Sequence, residues 1–235
     1  MIYVGIDDTD TLDDPGTNQL ARLMVRELAG HVRGRMILRH QLLEDPRVPC
    51  TKKNGCASIA FEPLPSFSRD RFLASVRQMV VSWSPAGSDP GLCVTENVPP
   101  AVSDWGIRCQ RELVKQSEAR QIAAEHGIHL EGLGGTEDGV IGALAAVGLM
   151  ATKNDGRVIH FESDRADWYD LTGCLDANDI LAHGVDEIFI MASGERLTEG
   201  VVDIGKRLRP NYRHGKIVLY VAQNEAPHWE AVRVL

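Results

Sequence analysis

Apolar residues along this chain fall into two rhythms. Short, nearly unbroken runs ("MIYVGI", "RMILRHQLL", "CASIAF", "LCVTENV", "GRVIHF", "EIFIM", "KIVLYVA" and "AVRVL") read as strands. Other stretches read as helices. In "GTNQLARLMVRELAG", Leu20, Leu23, Met24 and Leu28 share one helical face, with Thr17 at the N-cap position and Gly30 as the stop. "RDRFLASVRQMVVSW", "QSEARQIAAEHG" and "ANDILAHG" are further helices, and the glycine-rich "HLEGLGGTEDG" leads into a helix of small residues, "VIGALAAVGLM". Prolines after "LCVTENV" stop that strand, and "SPAGSDPG" is a surface turn and a candidate lobe boundary. No internal repeat is visible. The alternation predicts an α/β (α+β) fold: mixed sheets with helices packed on them, in two closely associated lobes.

Composition narrows the class. The chain has 235 residues, 43% of them hydrophobic, which suffices for one large domain or two lobes. No run approaches the roughly 20 apolar residues that cross a bilayer, and the chain opens on a strand instead of a basic region and apolar leader. The five cysteines are widely spaced without a Cys-x-x-Cys pair, so neither a zinc ribbon nor a disulfide framework is expected, and a reduced cytoplasm is. A net charge of −8 argues against broad adhesion to nucleic acid. Local basic clusters remain at Lys52 and Lys53 and across "GKRLRPNYRHGK", both readable as solvated surface. The eight histidines form no ligand pattern and read as structural or surface residues, His160 as a satisfied strand residue. The four tryptophans read as packing anchors.

Chemistry concentrates in one loop. "GIDDTDTLDDPGT", Gly5 to Thr17, places five aspartates in thirteen residues directly behind the first strand. Asp13 and Asp14 beside Pro15 read as turn formers. Asp7, Asp8 and Asp10 admit two readings. One is a hard cation held by oxygens, with Mg²⁺ as the simplest choice and substrate phosphates completing its shell. The other is an Asp-rich turn whose carboxylates cap backbone N–H groups. Thr17, at a helix N-terminus beside these acids, is either a phosphoryl acceptor or an ordinary cap. "DTDTL" also matches the Asp-x-Asp loop of haloacid-dehalogenase-type phosphatases, with Asp8 as nucleophile, although no later Gly-Asp-x-x-x-Asp follows. "GVVDIGKR" has the glycine and lysine spacing of a P-loop, but Arg207 stands where Ser or Thr would bind Mg²⁺.

Three stretches together resemble one family. "VGIDDTDTLDDPGTNQLA", "DPRVPCTKKNGCASI" and "DGVIGALAAVG" are similar, in the same order, to segments of the archaeal tRNA-isoleucine agmatinylcytidine synthetases. The likeness spans about residues 1–165 and sets residues 166–235 apart as a C-terminal α/β extension. It implies ATP and Mg²⁺ as cofactors and phosphoryl transfer to an oxygen of an acceptor, RNA or a small molecule, after which an amine displaces the phosphate. A non-catalytic nucleotide-binding module is the alternative. On this resemblance Asp7, Asp8 and Asp10 would position Mg²⁺ and ATP phosphates, and Thr17 would be phosphorylated. Lys52, Lys53 and Asn54 would lie near phosphate or acceptor, and Gly134, Gly135 and Gly139 would permit close backbone approach. The chain departs from the family in three ways, the first being Lys53 where the family has Arg. It has no cysteine set for the zinc ribbon that accompanies an OB-fold in the full-length members, and it carries Thr136, Glu137 and Asp138 where they have a single Arg.

Overall fold

The computed structural model describes residues 1–12, 15–50, 53–162, 168, 171–223 and 228–234. Asp13, Asp14 and Lys52 lie outside the described residues. Among the described residues, twelve strands and six helices in a mixed α/β arrangement form two compact units, Met1–Thr152 and Lys153–Leu235. "SPAGSDPG" is therefore internal to the first unit, because the strand after it returns to the same sheet. Residues 153–161 fall with the second unit, where Arg157 pairs with Asn211.

The first unit is built on β1 (Ile2–Asp7), β2 (Val32–Arg39), β3 (Ala57–Pro63), β4 (Gly91–Thr95) and β5 (His129–Gly132), ordered β5-β4-β1-β3-β2. Every neighbouring pair is antiparallel. β1 is central, between β3 and β4, and its apolar run is correspondingly buried. Helices α1 (Thr17–Glu27) and α2 (Arg69–Trp83) pack on each other and on strands of this sheet. Helix α5 (Gly139–Ala151) packs against β1 and β4, with α3 (Pro100–Cys109) and α4 (Gln116–Glu125) against α5.

Sequence reading misses α3. Pro100, expected as a strand stop, sits in the first turn of this helix, where the missing N–H would have had no partner and the fixed φ suits the helix. α5 is apolar on all sides, and eleven of its residues are buried, as a helix enclosed by its neighbours must be. Its approach to the sheet is close enough to exclude side chains. A Cβ on Gly5 would lie 1.9 Å from the Ala143 carbonyl oxygen, and one on Gly91 would lie 2.1 Å from Gly139. The small residues of this helix thus serve packing, as their composition predicts.

The second unit is a mixed sheet of short strands. Its path runs β6 (Arg157–Phe161), β10 (Asn211–Arg213), β11 (Lys216–Gln223), β12 (Trp229–Ala231), β9 (Val201–Asp203), β7 (Cys174–Asp176), and β8 (Glu187–Ile190) pairs in parallel with β11. The six-residue helix α6 (Ala177–Ala182) is capped by the Asp176 carboxylate, which accepts from the Asn178 N–H at 2.8 Å.

Candidate active site

Side chains alternate along β1, so Asp7 lies on the same face as Gly5, toward α5. The Asp7 carboxylate occupies the space a side chain on Gly142 would need, since a Cβ there would come within 1.8 Å of Asp7 Oδ2. Gly142 belongs to the first turns of α5, so the positive end of that helix dipole meets the carboxylate. Asp8 follows in the left-handed region, φ 52°, a conformation that is strained for most residues and that aspartate tolerates better than most. That turn carries the chain off the end of β1 and into the loop holding Asp10.

Asp7, Asp8 and Asp10 line one wall of a cavity of about 450 Å³. Lys53, Asn54 and Gly139, drawn from distant parts of the chain, line it as well. Leu42, Val48, Leu113 and Ile141 add apolar lining. Three acids that sequence reading misses, Asp89, Glu112 and Asp138, also line the cavity. Asp89 and Asp138 lie far from the first loop in the sequence, and the approach of β4 to α5 brings them here. Lys115, Arg47 and Gln116 also line the cavity and are likewise missed.

Thr17 is placed differently from its predicted N-cap role. Gly16 is the N-cap, and Thr17 is the first helical residue. Its hydroxyl accepts from Thr9 Oγ1 at 3.1 Å and donates to Asp10 Oδ1 at 3.5 Å. It is 8% exposed and is not part of the cavity wall, so Asp10 stands between it and the cavity. Asn54 also has a structural duty: its amide donates to the Leu43 carbonyl at 2.8 Å, closing the neck of the 43–54 loop.

Gly134 and Gly135 do not line the cavity. Gly135, at φ 57°, leaves space that the Asp89 carboxylate fills, 1.5 Å from where a Cβ would stand. Asp89 in turn accepts from the Thr136 N–H at 2.6 Å and the Thr136 hydroxyl at 3.1 Å. Glu137 pairs with Arg120. Of Thr136, Glu137 and Asp138, which depart from the family pattern, only Asp138 lines the cavity.

Burial dominates the electrostatics. It pushes the Asp7 carboxyl up to about 7, with the charge of Asp8 adding to the effect. Asp8 is pushed up to about 6, first by burial and then by Asp89, Asp10 and Asp138. Such carboxylates are poised for a cation or for proton transfer. The donor set fits Mg²⁺ of the loosely held kind. Among the described residues no three of these acids bring their oxygens within 4.8 Å of one another, which suits one or two carboxylate ligands with the remaining positions filled by water and phosphate.

A pH dependence follows. Both folded-state values lie above the ordinary carboxylate value of about 3.9, so between about 4 and 7 the folded chain binds more protons than the unfolded one. These two groups therefore lower stability as pH rises through that window, and the loss is complete above it. Between pH 5 and 7.5 the urea midpoint of the wild type should fall relative to that of a double Asp7→Asn, Asp8→Asn variant. An equal pH response in both proteins would show that the carboxyls are not held in their neutral forms.

No family model matches the chain. Curated relatives do. Over 154 residues the chain is 29% identical to the tRNA(Ile2) 2-agmatinylcytidine synthetase TiaS of Pyrococcus horikoshii, covering 63% of this chain and 35% of that protein. It is 28% identical over 154 residues to an uncharacterised protein of Methanocaldococcus jannaschii, covering 63% and 49%. The chain thus spans between a third and a half of the relatives' length. Among solved structures, the TiaS–tRNA(Ile2)–ATP complex superposes with a TM-score of 0.58 at 19% identity, over 77% of this chain and 43% of that one, a likeness of fold. A TiaS-like region, as the three sequence stretches indicate, therefore occupies nearly two thirds of this chain.

Proposed function

We propose that the first unit is an ATP-dependent phosphoryl-transfer centre that activates an oxygen of an RNA acceptor. The observation that carries this reading is a single cavity lined both by the apolar residues Leu42, Val48, Leu113 and Ile141 and by the acids Asp7, Asp8 and Asp10. The apolar lining suits a nucleobase, and Arg47, Lys53 and Lys115 supply cations for a polyphosphate. One or two of the carboxylates Asp7, Asp8 and Asp10 would hold Mg²⁺, which when bound would neutralise charge developing on the transferred phosphoryl group. Asp10 accepts the Thr17 hydroxyl and is the base through which that oxygen would lose its proton. The relatives' names and the ATP and tRNA held by a structural neighbour support the same class of reaction.

Incubation with Mg²⁺ and ATP labelled at the γ-phosphate tests this reading. The wild type should take up acid-stable label on Thr17. Thr17→Ala should take up none, and Asp10→Asn should be slower by about a hundredfold or more. Failure to bind ATP in calorimetry would sink the proposal, and binding without turnover or label would favour a regulatory module. The phosphatase alternative keeps one point in its favour, because Asp89 and Asp138 supply, through the fold, the second acidic pair that its sequence motif lacks. Hydroxylamine-labile label, with fluoroberyllate trapped at Asp8, would decide for it.

A further inference from the structure

The second unit contains a group of side chains that the acidic cavity does not use. Cys174 lies on β7 directly opposite Asp203 on β9, so the two side chains share one face of an antiparallel pair. β12 runs beside β9 on its other edge, with Trp229 opposite Val202, and His228 immediately precedes Trp229. Alternation about that pair returns His228 to the face of Asp203. Three adjacent strands therefore present a thiol, a carboxylate and an imidazole in one row. Their ligand atoms all lie within 4.8 Å of one another.

We propose that Cys174, Asp203 and His228 form a zinc site, with a water molecule in the fourth position. Ligand atoms around a tetrahedral zinc lie roughly 3.5 Å apart, given metal–ligand bonds of about 2.0–2.3 Å, so small side-chain rotations close the site. A thiolate with an imidazole selects a borderline-soft ion over Mg²⁺ or Ca²⁺. Asp203 is already oriented: its Oδ1 accepts from the Gly205 N–H at 2.8 Å, an outer contact of the kind that steadies a ligating carboxylate. Cys174 is exposed and forms no disulfide, which gives the ion an entry path. On binding, the Cys174 thiol gives its proton to solvent and the thiolate takes the metal. The ion ties β7, β9 and β12 together without any cross-link of the chain. Ligand gaps of this length leave no local motif, so the sequence reads His228 as a structural or surface residue.

The test uses the full chain stripped with a chelator and titrated with Zn²⁺ and, separately, Co²⁺. One equivalent of Zn²⁺ should bind, and Co²⁺ should produce a near-ultraviolet thiolate charge-transfer band. Cys174→Ser should abolish the band, and Asp203→Asn and His228→Gln should each weaken Zn²⁺ binding by about a hundredfold or more. Asparagine at 203 keeps an oxygen for the Gly205 N–H, so that variant separates metal binding from folding. Cys50→Ser, which removes the other exposed cysteine, and Asp8→Asn should bind as the wild type does. A band that survives Cys174→Ser, binding lost in Asp8→Asn, or no binding by the wild type would each overturn the site.

Discussion

Gly5→Ala is expected to destabilise the first unit by at least about 3 kcal/mol, the upper part of the range for overpacking a rigid core. The new methyl carbon would stand 1.9 Å from the Ala143 carbonyl oxygen and 3.0 Å from Val147 Cγ2. Neither side can yield cheaply. β1 is paired on both edges, with β3 and β4, and α5 is enclosed by α3 and α4 as well as by the sheet. The strain cannot be dispersed by a side-chain rotation, because the obstructing atom belongs to the helix backbone. At about 2–4 °C per kcal/mol for a chain of this size, the melting transition of that unit should fall by roughly 6–12 °C. Gly30→Ala is the matched control: nothing lies within 4 Å of its Cβ position, and its φ is not in the left-handed region. A change of under about 0.5 kcal/mol in Gly5→Ala would mean that α5 is not pressed onto β1 as described.

The elements legible in the sequence are those whose signal is local. "RDRFLASVRQMVVSW" coincides with α2, and "MIYVGI" with β1 but for its ends, because core-facing periodicity and a buried central strand each leave a pattern in one window. The enclosed α5 announces itself by small apolar residues. Elements that rest on partners escape such a reading. β7, β9 and β10 are three residues long, too short for any alternation to register, and exist through their neighbours' hydrogen bonds. α3 is hidden by its own starting proline.

The candidate site divides along the same line. The acidic loop stands out as repelling charges packed into one turn. Asp89 and Asp138 carry no such mark, and join it only when β4 and α5 meet. Thr17 draws attention by its place at a helix start, yet its hydroxyl turns to Asp10 instead of capping, since Gly16 takes the N-cap position. Gly134 and Gly135 suggest space for a ligand, and the space beside Gly135 accommodates Asp89. Glycine composition signals close approach without saying what approaches.

Asp8→Asn should give a protein that is more stable at pH 7.5 and inactive. At that pH Asp8 is charged against the preference of its surroundings, which push its carboxyl up to about 6. Each tenfold change in a group's proton affinity corresponds to about 1.4 kcal/mol. Solvent at the cavity mouth screens part of the effect, so the amide should recover about 1–2 kcal/mol. Asparagine also accepts the left-handed backbone at this position, φ 52°, about as well as aspartate does, so no strain is added. Asp8→Gly removes the same charge and relieves the backbone as well, at the expense of a more flexible unfolded chain, and should be stabilised to a similar degree. Both variants lose an oxygen ligand for the cation, and label incorporation from ATP should fall by at least about a hundredfold in each. Urea midpoints read beside label incorporation separate the possibilities. A variant that is inactive and less stable would make Asp8 a structural residue of the turn. One that keeps activity would remove it from the site. Gain of stability with loss of chemistry is the outcome expected of a carboxylate held in place for a charge it does not itself supply.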